Sequence, residues 1–168
     1  MLTRRDIIIK WTTICAAALL LQLMFSLLLG GVAILGVHLF LPPLIVGIIA
    51  SLEDTHAGAL FALGCGVLCD LVLPGLFPCL YTVAFALSAL ACSYLAKNVV
   101  QPGPLCSLIV SALTFGFVDV LVMLSLALTD HAPFVGMLSV ALREMALSCL
   151  LVPACHPVLT YLHKKFTL

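Results

Sequence analysis

The 168-residue chain is 64% hydrophobic and 8% charged, with seven Lys and Arg balancing seven Asp and Glu. An ordinary soluble domain carries roughly 25% charged residues. So little polar surface excludes a water-soluble fold, and the lipid bilayer must supply most of the exterior. The zero formal net charge and the lack of any long run of like charges exclude an electrostatic partnership with nucleic acid.

Crossing about 30 Å of hydrocarbon takes around 20 helical residues. The first candidate span, 11–30, follows Arg4, Arg5 and Lys10, and no Asp, Glu, Lys or Arg occurs from Trp11 to Leu52. That stretch is too long for a cleaved leader, so the first helix is read as a retained signal anchor. Gly30-Gly31 separates it from a second span, 33–52, which carries Pro42-Pro43 near its middle. Either this is one kinked span, or the first helix runs longer and a short helix begins at Pro42. The polar group Glu53-Asp54-Thr55-His56 ends it.

A third span covers 57–73 and a fourth 79–96, divided by Pro74 through Pro78. Lys97 through Pro104 lead into a fifth, 105–128, and Thr129 through Pro133 into a sixth, 136–162. Continuous apolarity favours a helical bundle over a barrel, whose strands alternate every second residue. The expectation is an all-α, single integral membrane domain of about six transmembrane helices over residues 1–168. Six crossings with the N-terminus inside place Arg4, Arg5, Lys10, Lys97, Lys164 and Lys165 all on the cytoplasmic side. Both termini are then cytoplasmic.

Gly58, Ala62, Gly66 and Asp70 recur every four residues along the third helix. Small residues at that spacing let a second helix approach closely, as an internal neighbour or as a partner's transmembrane helix. Asp119, Arg143 and Glu144 fall well inside spans five and six, where a charge costs several kcal/mol unless paired or hydrated. Such charges either fix helix register or mark a ligand site. Asp119 lies nine residues before Leu128, about 13 Å below the outer surface, and Arg143 seven residues after Gly136, about 10 Å below it. The matched depths predict an Asp119–Arg143 pair, with Glu144 turned toward water or Asp70.

The eight cysteines lie mostly within apolar segments, where Cys packs as a small hydrophobe, and none of their spacings makes a zinc knuckle. The chain has no phosphate loop, no paired His-Glu metalloprotease helix and no Gly-x-Ser-x-Gly elbow. A non-enzyme without catalytic residues, metal or cofactor is expected.

Several features follow one another in a set order along the chain. The first helix has Leu19-Leu20-Leu21 followed by Gln22, and Pro42 opens the second apolar run. Gly58 through Asp70, with Gly64-Cys65-Gly66-Val67-Leu68-Cys69-Asp70, precedes Gly75 and an apolar helix ending near Lys97. The last span contains Leu150-Leu151-Val152-Pro153-Ala154-Cys155-His156-Pro157-Val158-Leu159 and ends in basic residues. Over nearly its whole length the chain resembles the rod-shape-determining MreD family, departing from its pattern at Pro43 and at Glu53-Asp54.

The resemblance implies a non-catalytic scaffold of the bacterial inner membrane and the cell-elongation machinery. It would bind the single-span protein MreC, engage RodA and its transpeptidase partner in peptidoglycan synthesis, and act indirectly on MreB in maintaining rod shape. Six short helices also resemble the substrate-binding S component of an energy-coupling-factor vitamin transporter. That alternative calls for an outward-facing polar pocket lined by Asp70, Asp119, Arg143 and Glu144.

Overall fold

The structure, a computed structural model, describes residues 4–29, 40–73, 77–98, 103–129 and 134–167. Among these residues it is entirely helical: α1 (Arg4–Leu29), α2 (Pro42–Leu52), α3 (Thr55–Val72), α4 (Leu80–Asn98), α5 (Pro104–Thr129), α6 (Phe134–Cys149) and α7 (Val152–Thr167). Segments within α1, α3, α4 and α5 are each long and apolar enough to cross a membrane, and α6 with α7 forms a fifth, bent candidate. Large apolar side chains cover the outside, with Leu60 72%, Leu71 77% and Leu105 73% exposed. Such a surface suits lipid and fits a multi-pass membrane protein.

The second apolar segment differs most from a simple span. Its helix runs for only 11 residues, about 16 Å at 1.5 Å per residue and half the hydrocarbon thickness. Residues 30–39, including the Gly30-Gly31 divider, lie outside the described residues. Of the two alternatives for Pro42-Pro43, the structure has the short helix beginning at Pro42.

Every residue of α2 from Pro42 to Ala50 is buried, enclosed by α3, α4, α5 and α7. It forms a wall shared by both halves of the core. Leu44, Ile45, Ile48 and Ile49 pack with Ile14 of α1, Phe115 of α5 and Val152, Cys155 and Leu159 of α7. Val46 and Ala50 pack on the other side with Ala62, Phe85, Ala89, Cys92 and Val110.

Starting a helix inside an apolar bundle normally strands its first four N–H groups. Here Pro42 and Pro43 have none, and Leu44 N and Ile45 N both donate to Leu41 O, at 3.0 and 3.1 Å. The double proline removes the donors that would have required water.

Close approach replaces the hydrophobic drive that lipid does not supply between helices. A Cβ on Gly47 would lie 2.9 Å from Ser111 Cα, so α2 and α5 touch backbone to backbone. On Gly58 it would lie 3.2 Å from Ala50 Cα, and on Gly66 2.5 Å from Thr82 Cα. The Gly58, Ala62, Gly66 face is therefore occupied internally, by α2 at one end and α4 at the other.

The sixth segment is broken. α6 and α7 meet at 51°. Pro153 cannot donate to Cys149 O, and its ring crowds that carbonyl, which accounts for a break at Leu150-Leu151. The first turn of α7 closes instead by Ala154 N and Cys155 N donating to Leu151 O, each at 3.0 Å.

Substituting Gly47 or Gly66 by Leu should cost about 1–3 kcal/mol or more, because the obstructing atoms are backbone. The Gly64→Leu variant should fold like the parent, since nothing lies within 4 Å of the added Cβ. Monodisperse yield and melting temperature in detergent would check the contrast; equal losses at all three sites would contradict this packing.

Candidate functional site

Ionisable and polar side chains gather at both ends of the bundle and halfway between them. At one end Glu53, in the turn between α2 and α3, is 9% exposed. Its Oε1 is 2.7 Å from Lys10 Nζ and 2.7 Å from His163 Nδ1, and its Oε2 accepts from Lys10 Nζ at 2.8 Å. One carboxylate thus joins α1, the α2–α3 turn and α7. Beside it Lys97 Nζ lies 3.5 Å from Asp54 Oδ1 and donates to Thr55 Oγ1 at 3.1 Å, while Thr55 and Ser93 hydroxyls lie 2.9 Å apart. The exposed Asp54–Lys97 pair contributes little, about 0–1 kcal/mol. Glu53 is the stronger tie. Sequence reasoning gave it no role; the signal available was a carboxylate ending an apolar segment at the same end as Lys10.

Near that end Ser107 Oγ lies 2.9 Å from His156 Nδ1, and His156 Nε2 lies 3.4 Å from Thr160 Oγ1. Ser107 is 1% exposed. A hydroxyl so enclosed has no approach for a substrate carbonyl, and the contact serves to bond α5 to α7.

At the opposite end Asp70 accepts from Tyr81 N at 3.0 Å, Thr82 N at 2.9 Å and Thr82 Oγ1 at 2.6 Å. These are first-turn donors of α4. The residue preceding that helix, Cys79, has φ 64° and a thiol poorly suited to capping. A carboxylate from α3 takes the place of the missing cap, at the end where the helix dipole favours negative charge. Asp70 is thus committed to a neighbouring helix by the same α3–α4 approach that buries Gly66.

Halfway down, the pairing of Asp119 with Arg143 is not found. Among the described residues Arg143 forms no hydrogen bond or ion pair, and its side chain is exposed on the outer face of α6. The residue close enough to Asp119 to feel its charge is Glu144, not Arg143. The helical register explains the correction. Successive residues point about 100° apart, so once Glu144 turns toward α5, Arg143 turns away. Depth along the two helices was matched, but azimuth was not.

Asp70 is bonded to the first turn of α4 and Arg143 faces outward, so the four do not line one pocket. Among the described residues no group of three or more His, Cys, Asp or Glu could hold a metal.

Among the described residues an open groove of about 820 Å³ runs along the outside of α5, lined by Leu108, Ile109, Ala112, Leu113, Gly116, Phe117, Val120 and Leu121. Nothing lies within 4 Å of a Cβ built on Gly116. Its lining is almost wholly apolar, so it can hold a lipid chain or a helix but offers no polar grip to a soluble ligand.

No family model, curated protein or solved structure matches this chain.

Replacing Glu53 by Ala strands Lys10 in a site where it is 12% exposed. The loss should be about 3–5 kcal/mol, and the Lys10→Met, Glu53→Met double variant should recover part of it. Thermal melting of the purified variants measures both. A double variant no better than the sum of the singles would rule out direct pairing as the source of the stability.

Proposed function

We propose that this chain is a non-catalytic scaffold of the MreD kind in the bacterial inner membrane. In this reading it crosses six times with both termini cytoplasmic, and holds a single-span, MreC-like partner for the cell-elongation machinery. The observation that carries the reading is the α5 groove. From Leu108 to Leu121 it follows 13 residue steps, about 20 Å, most of the hydrocarbon thickness. An apolar trough of that length alongside a helix suits another helix laid beside it. Gly116 leaves room at its centre for close backbone approach.

Of the two readings of the third-helix face, internal packing or docking, the structure has internal packing, and docking is proposed for the fifth helix instead. The glycines of α3 are filled from within, and the open glycine of α5 is not. Even parity is supported by the junction of Lys10, Glu53 and His163, which brings the start of α1 and the end of α7 to a common end. Six crossings take α6 and α7 together as the sixth, and the start of the second segment, 33–39, lies outside the described residues. Engagement of RodA, its transpeptidase and, indirectly, MreB belongs to the same proposal. The vitamin-transporter reading is less well supported, because Asp70 is taken up as a cap and Arg143 faces outward.

Two outcomes are expected. Reporter fusions to either terminus should report a cytoplasmic location, and a periplasmic C-terminus would overturn the six-crossing count. Gly116→Leu should leave melting temperature and yield unchanged while cutting recovery of the co-purifying single-span protein by at least about tenfold, the effect of losing 1.4 kcal/mol. Undiminished recovery would remove the groove as the docking site, and a retained vitamin in the purified protein would favour transport instead.

A further inference from the structure

Polar residues recur down the seam where α5 packs against α6 and α7. The contact of Ser107 with His156, at 2.9 Å, sets the register of these antiparallel segments. Counted in turns from it, Ser111 stands level with Val152 and Phe115 with Ser148. Asp119 then stands level with Glu144, each twelve residues from the Ser107–His156 contact. That last pairing agrees with the structure, in which Glu144 feels the charge of Asp119. Each level of the seam thus carries at least one polar side chain, at steps of about 6 Å. Toward the Glu53 end the seam continues through Thr160, whose Oγ1 lies 3.4 Å from His156 Nε2.

Two sets of groups on this seam are unsatisfied. Asp119 and Glu144 are part-buried and form no hydrogen bond or ion pair among the described residues, and Arg143 is turned away from them. No other cation stands near. From Trp11 to Leu52 the chain has no Asp, Glu, Lys or Arg, so α2 and most of α1 bring no charge. From α4, Tyr81 lies within reach of both carboxylates, and Asp70 of α3 bonds its backbone; from α7 the seam presents His156. Two neighbouring carboxylates in a bilayer interior strongly oppose being ionised together when no cation balances them. Between this pair and the Ser107–His156 contact lie the hydroxyls of Ser148 and Ser111, both 0% exposed and both without a hydrogen-bond partner. Ser148 follows Glu144 by one turn on the same face, and its Cα–Cβ bond tilts toward the start of α6, which directs the hydroxyl to the level of the carboxylates. Buried hydroxyls are ordinarily bonded, and two orphans between an acid pair and an imidazole mark places for water.

We propose that Asp119 and Glu144 hold one proton between them and exchange it with the Glu53 end of the bundle along the seam of Ser148, Ser111, Ser107, His156 and Thr160. The shared proton leaves one negative charge instead of two and turns one carboxyl into a donor for the other. Levels about 6 Å apart are too far for direct bonds, so waters bridge the hydroxyls. A proton taken from water at the Glu53 end enters His156 at Nε2, and the ring releases another from Nδ1 to Ser107. Each hydroxyl and water accepts one proton and passes on another until a carboxylate takes the last. Only N–H and O–H bonds form or break, and no oxidant or reductant is needed. The seam is separate from the α5 groove, so Gly116→Leu leaves it untouched and the two proposals fail independently.

Infrared difference spectroscopy of the full chain, in vesicles of phosphatidylethanolamine and phosphatidylglycerol, tests this through the carbonyl stretch of a protonated carboxylic acid. At neutral pH one such band per chain is expected, lost as pH rises with the appearance of one carboxylate. Asp119→Asn and Glu144→Gln should each abolish it, because the remaining carboxylate has an amide donor beside it and no like charge to relieve. No band, or a band that survives in either variant, would overturn the shared proton. A band that disappears when sodium replaces potassium in the buffer would make the pair a sodium site and overturn it as well. Transfer to deuterated water shifts the band, and the rate of that shift reports access. His156→Leu and Ser107→Ala should each slow it at least about tenfold; unchanged rates in both would overturn the route. If the carboxyl variants do not accumulate, the number of protonated carboxyls in the unaltered chain decides, with one supporting the proposal and none or two overturning it.

Discussion

The bundle depends on a short helix that has no outside. α2 packs against α1, α3, α4, α5 and α7 and has no lipid-facing side from Pro42 to Ala50, so its neighbours are arranged around it as around a core residue. A half-length helix in an apolar interior is tenable only if its backbone asks for no water. The paired prolines at its start meet that condition by subtraction, and the turn at Glu53 meets it at the other end, where Glu53 N donates to Ile49 O at 3.0 Å. Gly47 and Gly58, in α2 and α3, then let the surrounding backbones come close enough for dispersion to hold them.

Around this centre the charged residues divide by what a bilayer tolerates. Glu53 and Asp70 lie near helix ends, and each links elements distant in sequence: Glu53 ties the chain's first helix to its last, and Asp70 closes the start of α4 from α3. Both carboxylates have their acceptor sites filled by donors held in place by helices, and each joins local geometry to tertiary packing. Arg143, Glu144 and Asp119 lie deeper and have no such arrangement. Among the described residues none of the three forms a hydrogen bond or ion pair.

Much of the architecture was legible in the sequence because lipid imposes a one-dimensional rule: long apolar runs become helices, and their ends gather charge. α3, α4 and α5 lie close to spans 57–73, 79–96 and 105–128 for that reason. Proline was harder to read. Pro42-Pro43 left two readings open because a proline both kinks a helix and begins one, and only the enclosure of Leu41 O with its two donors separates them. Pro153 lay within an apparently continuous sixth span, yet its missing donor breaks that span into α6 and α7.

The sequence by itself determined what kind of solvent this chain needs, which segments are helical, and where small residues permit close approach, since each follows from composition or from spacing along a single helix. Which helix occupies each face was decided only by the tertiary structure. Gly58 and Gly66 could have met a partner, but α2 and α4 fill them; Gly116 carried no pattern of note, and its side is open. Asp119 and Arg143 agree in depth but not in direction, because the rotation of α6 about its own axis is set by everything packed against it. Depth is a property of one helix and can be counted; azimuth is a property of the assembled bundle and cannot.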